Sequence, residues 1–134
     1  MPASKPFIFK DTNRDLAHYD SFLKAFKTRP FIVLIYATWC GHCTAMRTEW
    51  EAAKRHATYD IVEMESSVFD TLKSQDDHFM NTISGQVTGY PMICKVENKK
   101  IVPFQNERSK EGFKKFMAKN GGPTALLKKY ASAK

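Results

Sequence analysis

A chain of 134 residues, 43% hydrophobic and 13% aromatic, is long enough for one domain with a real core. Three cysteines are too few, and odd in number, for a disulfide scaffold, and no apolar run approaches a membrane span. The net charge of +7 is unevenly spread: seven Lys lie between Lys110 and Lys134 against Glu111 alone, which reads as a solubilising helix face and tail rather than a nucleic-acid surface, since no nucleic-acid motif accompanies it.

Phe7-Ile8-Phe9 predicts a short first strand. It is also the only apolar run near the N-terminus, too short for a signal-peptide core. The chain as given is therefore expected to be cytoplasmic, and a leader removed ahead of residue 1 would instead place it in the secretory pathway or ER lumen. Asp11 or Thr12 can cap a helix, with Thr12 and Asp15 imitating a capping box. Leu16, Tyr19, Phe22, Leu23 and Phe26 recur at helical spacing, and Thr28-Arg29-Pro30 stops the run.

The continuous apolar stretch Phe31 to Ala37 predicts a strand buried on both faces. A helix follows over Gly41–Ala57, with Met46, Trp50 and Ala53 inward and Arg47, Glu49, Lys54 and Arg55 on a wet side. Ile61–Glu65 predicts the next strand, and short helices are expected around Val68–Lys73 and His78–Ser84. Met92–Val96 is a strand, Glu97–Lys100 a turn, and Ile101–Phe104 an antiparallel return. Ser109 can cap a last helix carrying Phe113, Phe116 and Met117 inward. Asn120-Gly121-Gly122-Pro123 ends it, and Thr124 caps a short tail helix. The alternating order implies an α/β domain with parallel strands followed by a hairpin, a mixed sheet of four to five strands flanked by helices. One domain is expected over residues 1–134, its core at about 7–120 and a basic tail at 121–134.

Cys40-Gly41-His42-Cys43 falls just past a strand and opens a helix, where unpaired N–H groups and the positive dipole end favour a thiolate. Free Cys titrates near about 8.5 and falls to roughly 3.5–7.5 in such settings. Cys40, at the helix start, is expected to be the nucleophile, and Cys43, one turn in, the resolving thiol. Protonated His42 adds a cation beside the thiolate. That stabilises the reduced form and makes the disulfide a better oxidant. A zinc site needs four ligands, but there is no second Cys pair, and His18, His56 and His78 lack finger spacing. A one-turn disulfide restrains little chain. Redox chemistry without metal or cofactor is the expectation.

The stretch "YATWCGHC" resembles the active-site signature of thioredoxin-fold proteins, with the Gly-His spacer of protein disulfide isomerase domains. "TGYPM", Thr88 to Met92, is similar to the family's loop with a cis-proline. "NERSKEGFKKFM", Asn106 to Met117, resembles the end of an isomerase catalytic domain. The resemblance covers about Phe7 to Asn120 and implies a thioredoxin-like fold. It implies a substrate surface of Trp39, Thr88, Gly89, Tyr90 and Pro91, with Tyr90 backbone groups free to pair with a substrate strand. Arg108 matches an arginine near the second cysteine, where a cation lowers the thiol pKa.

The pattern breaks at Leu34, six positions before Cys40, where the family usually carries a buried acid that takes the second thiol's proton. Glu63 on the next strand is expected to supply that carboxylate. Cys94 alternates with Met92 and Val96 and is expected to be buried and inert. Two readings follow. One is a monomeric thiol–disulfide oxidoreductase or isomerase acting on protein thiols and disulfides, served by a reductase or oxidase partner. The other is a redox-poor peptide-binding or assembly module of the same fold.

Overall fold

The computed structural model of the chain describes residues 6–118. Five strands form one sheet: β1 (Phe7–Phe9), β2 (Phe31–Tyr36), β3 (Asp60–Glu65), β4 (Met92–Glu97) and β5 (Lys100–Pro103). The helices are α1 (Thr12–Asp15), α2 (Tyr19–Thr28), α3 (Gly41–Lys54), α4 (Ser66–Leu72), α5 (His78–Ile83) and α6 (Lys110–Met117), with single 3-10 turns at Leu16–His18 and Ser84–Gln86. No helix among the described residues is long and apolar enough to cross a membrane.

The apolar run of β2 is buried at all six positions because it is the central strand, in the order β1-β3-β2-β4-β5. β1 and β2 pair parallel to β3, while β4 runs antiparallel to β2 and to β5. Parallel neighbours need crossover helices, which α1–α2 and α3 supply. The β4–β5 hairpin turns through Asn98 and Lys99, both at positive φ (53° and 65°), the backbone of a twist-matched two-residue turn.

Alternation along β2 divides the core. Phe31, Val33 and Ile35 face a cluster with α2, α4 and α5, where Phe22 lies among the rings of Phe9, Phe26, Phe31 and Phe79. Ile32, Leu34 and Tyr36 face the other cluster with α3 and α6, including Cys40, Cys43, Trp50 and Phe113. The sheet therefore separates Cys94, which belongs to the first cluster, from the Cys40–Cys43 pair in the second.

Several expectations shift. The first helical run is broken by the 3-10 turn, and its cap is Asp11, whose carboxylate accepts the Asn13 N–H at 2.9 Å. Asp15 Oδ2 accepts the N–H groups of Lys10 and Asp11, and the Asp15 N–H donates to the Asp11 carbonyl at 2.8 Å, so the reciprocal pair is Asp11–Asp15 rather than Thr12–Asp15. α3 ends at Lys54, three residues before Ala57, and β5 begins at Lys100 and ends at Pro103. The expected stop at Asn120-Gly121-Gly122-Pro123, the Thr124 helix and the basic tail lie outside the described residues.

Candidate active site

Cys40 is the N-cap of α3, with extended backbone (φ −89°, ψ 115°). The position normally belongs to Ser, Thr, Asp or Asn, whose oxygen accepts an orphan N–H. Here the Cys40 Sγ accepts the Cys43 N–H at 3.2 Å. The Cys40 carbonyl starts the helix by accepting the Thr44 N–H (3.1 Å) and hydroxyl (3.2 Å). Sequence and fold thus put a sulfur where the helix has N–H groups to give. Both cysteines are free thiols with little exposure (7% and 4%).

The two thiols are driven apart. Cys40 titrates below the ordinary thiol, chiefly through a hydrogen bond from the Cys43 thiol; burial opposes this, and the backbone N–H groups of Cys43 and His42 and the Arg108 charge reinforce it. Cys43 is pushed up to about 11, first by burial and then by its bond to Cys40, against smaller opposing effects from the Ala37 backbone and Arg108. One group is ready to attack, and the other stays protonated beside it. His42 is exposed, and its backbone N–H is one of the donors that lower Cys40.

Facing the pair is the loop ending in the Tyr90–Pro91 cis peptide bond. The Cys40 Sγ–H donates to the Tyr90 carbonyl at 3.5 Å. Trp39 is 75% exposed and meets the half-buried Tyr90 edge-on, ring centroids 5.7 Å apart. Thr88 and Gly89 are exposed, and a Cβ on Gly41 or Gly89 would meet nothing within 4 Å.

A groove of about 400 Å³ runs past Pro91, Met92, Ile93, Phe104 and Arg108. The loop of Arg108 is held by neighbours the sequence reading passed over. Lys110 N–H donates to Glu49 of α3 at 2.6 Å, and Asn106 donates to the Gly112 carbonyl at 3.2 Å. A Cβ at Gly112 would lie 2.0 Å from the Glu107 carbonyl oxygen, so only glycine lets α6 approach this loop.

Leu34 is fully buried, and its register partner on β3 is Glu63, 1% exposed. Glu63 Oε1 accepts from Arg47 at 3.0 Å, while Oε2 accepts from Trp50 Nε1 at 2.9 Å and Lys54 at 2.6 Å. Burial pushes this carboxyl up, but Lys54, Trp50 and Arg47 outweigh it and hold Glu63 below the usual range. Among the described residues neither thiol is a hydrogen-bond partner of Glu63, whose oxygens go to Arg47, Trp50 and Lys54. Arg47 and Lys54, read as wet, turn inward to this carboxylate with side chains 33% and 16% exposed. Their signal was present: they share a helix face with Trp50, and strand alternation puts Glu63 opposite that face.

Glu65 was also missed. Its carboxylate accepts from Ser66 Oγ (2.9 Å), Ser67 N–H (2.8 Å) and Ser67 Oγ, and it takes the backbone N–H of Thr38, two residues before Cys40. It ties the start of α4 to the loop that carries the pair. Cys94 is 1% exposed, and burial pushes its thiol up to about 12. Among the described residues no group of three or more His, Cys, Asp or Glu could hold a metal ion.

The family model described as Thioredoxin matches residues 11–119. A protein disulfide-isomerase of Hordeum vulgare is 30% identical over 114 residues, covering 81% of this chain and 21% of that protein. Protein disulfide isomerase-like 2-2 of Oryza sativa subsp. japonica is 31% identical over 101 residues, 74% of this chain and 26% of that one. The chain thus spans about a fifth to a quarter of these relatives' length. The first thioredoxin domain of mouse protein disulfide-isomerase A4 superposes with a TM-score of 0.56 at 19% identity, over 87% of this chain and 75% of that one.

Proposed function

Because the chain belongs to the thioredoxin family, we propose that it is a thiol–disulfide oxidoreductase or isomerase acting on protein disulfides through Cys40 and Cys43. The observation that carries this is the Cys40 sulfur at the N-cap of α3, accepting the Cys43 N–H. A sulfur so placed is a thiolate at neutral pH more often than a free cysteine.

The Cys40 thiolate attacks one sulfur of a substrate disulfide. The S–S bond breaks, a Cys40–substrate mixed disulfide forms, and the other substrate sulfur leaves as a thiolate and takes a proton. Cys43 then loses its proton and attacks Cys40 Sγ. The mixed disulfide breaks and the second substrate thiolate leaves. The substrate gains two electrons and two protons, and the pair becomes a disulfide. Oxidation of substrate thiols is the reverse, and attack on the mixed disulfide by another substrate thiolate gives isomerisation. A thiol reductant or a disulfide-donating oxidase restores the pair. Trp39 and Tyr90 supply the apolar contact surface, and Tyr90 and Pro91 the backbone edge for an extended substrate segment. Arg108 eases ionisation of both thiols.

Refolding of scrambled ribonuclease tests the reading, with Cys40→Ser, Cys43→Ser as control. Recovery at several times the control rate is expected, and equal recovery sinks the enzyme reading. A second reading draws on Leu34 and the full engagement of Glu63. With its proton hard to shed, Cys43 resolves slowly, and the domain holds peptides more than it turns them over. Accumulation of a Cys40 mixed disulfide in the wild type would favour that reading.

A further inference from the structure

Cys43 heads a stripe on α3. Four, seven and eleven residues on come Arg47, Trp50 and Lys54, a spacing that puts all four along one side of a helix. The last three converge on one carboxylate, Glu63, at 3.0, 2.9 and 2.6 Å. Glu63 is itself fixed, because β3 is paired on both sides, to Ile8 of β1 and Leu34 of β2. A buried anion held by the sheet thus grips three successive turns of the helix whose first turn carries the thiols. Arg47 extends the grip to β2, its guanidinium lying 4.7 Å above the Tyr36 ring.

We propose that Glu63 is a positioning residue whose carboxylate sets the rotation and height of α3 on the sheet, and with them the placement of the Cys40–Cys43 pair against the Tyr90 carbonyl that faces it, without exchanging protons with either thiol. The inference rests on the thiol–disulfide reading above. Both carboxylate oxygens are committed to donors, and an anion stabilised by two cations is a weak base. A buried ion cluster gains little over apolar side chains of the same volume. What it adds is direction: charge-assisted bonds to three residues of one helix are satisfied together in one register. That register matters because the pair rides on α3 as a unit, while the Tyr90 carbonyl, 3.5 Å from Cys40 Sγ, and the Arg108 charge belong to other elements. A shift of α3 changes how both thiols meet them.

The test compares wild type, Glu63→Gln, Glu63→Leu and the double variant Arg47→Gln, Lys54→Gln. Readouts are the pH profile of Cys40 alkylation by iodoacetamide, the equilibrium of the pair with glutathione, and release of a Cys40–peptide mixed disulfide between about pH 6 and pH 10. Glu63→Leu and the double variant are expected to shift alkylation at neutral pH by about tenfold, one unit of titration. Both also move the glutathione equilibrium in step, towards the disulfide where alkylation slows and towards the dithiol where it quickens. Glu63→Gln, which keeps an acceptor, falls between, and its release curve runs parallel to the wild type. A Glu63→Gln curve that diverges from the wild type while alkylation is unchanged would make Glu63 a proton acceptor and overturn the proposal. So would a loss of thermal stability in Glu63→Leu and the double variant with both thiol readouts at wild-type values. If Glu63→Leu does not fold, the double variant decides alone. Failure of the ribonuclease assay bears on the enzymatic reading only, since alkylation and the glutathione equilibrium need no turnover.

Discussion

On the side of the sheet covered by α2, α4 and α5, Phe22 is enclosed by the rings of Phe7, Phe9, Tyr19, Phe26, Phe31 and Phe79, and Cys94 lies in the same cluster. On the side covered by α3 and α6, the cluster holds Cys40 and Cys43 and borders the Glu63 ion group. All three cysteines are largely shielded from water, yet burial pushes Cys94 up to about 12 while Cys40 titrates below an ordinary thiol. The difference lies in donors. Cys94 meets only desolvation, which penalises the thiolate, whereas Cys40 accepts hydrogen bonds from the Cys43 thiol and two backbone N–H groups and feels the Arg108 charge. Desolvation alone silences a cysteine, and desolvation with directed donors activates it.

The contrast is open to attack from both sides. The largest effect is expected from Cys40→Ser, which should reduce ribonuclease refolding to the uncatalysed rate, while Cys94→Ser keeps the wild-type rate. A defect in Cys94→Ser would break the contrast. Next in size is alkylation of the native protein near pH 8. Cys40 should react first, and Cys94 should carry on the order of 10⁴-fold less thiolate than if fully ionised, given its titration about four units higher. Mass spectrometry should find one fast thiol, because Cys43 is also pushed up, to about 11.

Phe22→Ala should cost about 3–5 kcal/mol in denaturant unfolding and leave the pH profile of Cys40 alkylation unmoved, since the sheet stands between. A moved profile would show that the two sides are coupled. A smaller effect concerns acid. The folded-state pKa of Glu63 lies below its unfolded value of about 4.3. Its stabilising contribution is therefore complete above about pH 4.3 and disappears as pH falls through the folded value. The stability gap between wild type and Glu63→Gln should narrow over that range, and a constant gap would argue against a charged Glu63. The smallest effect is expected from Arg108→Gln, which should raise the titration of both thiols slightly and leave Cys94 untouched.

Much of the architecture could be read from local patterns. The apolar run before the Cys pair announced a buried central strand, and Pro30 and the Asn98–Lys99 turn punctuated the elements. The Cys-Gly-His-Cys spacing announced a cysteine pair at a helix start, because strand period, turn residues and helix starts are properties of neighbouring residues. What crossed between elements was harder to read. Arg47 and Lys54 read as solvated because long cationic side chains at the margin of an apolar stripe usually reach water. Here a carboxylate across the interface draws them in. Glu63 was singled out, but its donors were not foreseen, because the register of β3 against β2 says which residues are neighbours and not which donors α3 will aim at them.

The sequence by itself determined the order of elements, the placement of a dithiol at a helix start and the departure at Leu34, all of which depend on residue type and spacing. Only the tertiary structure decided that the Cys40 sulfur caps α3, that the His42 N–H is among its donors, and that Glu63 binds three residues of α3. Hydrogen bonds and ion pairs reach only about 3–4 Å, so their partners are chosen by how helices settle on the sheet.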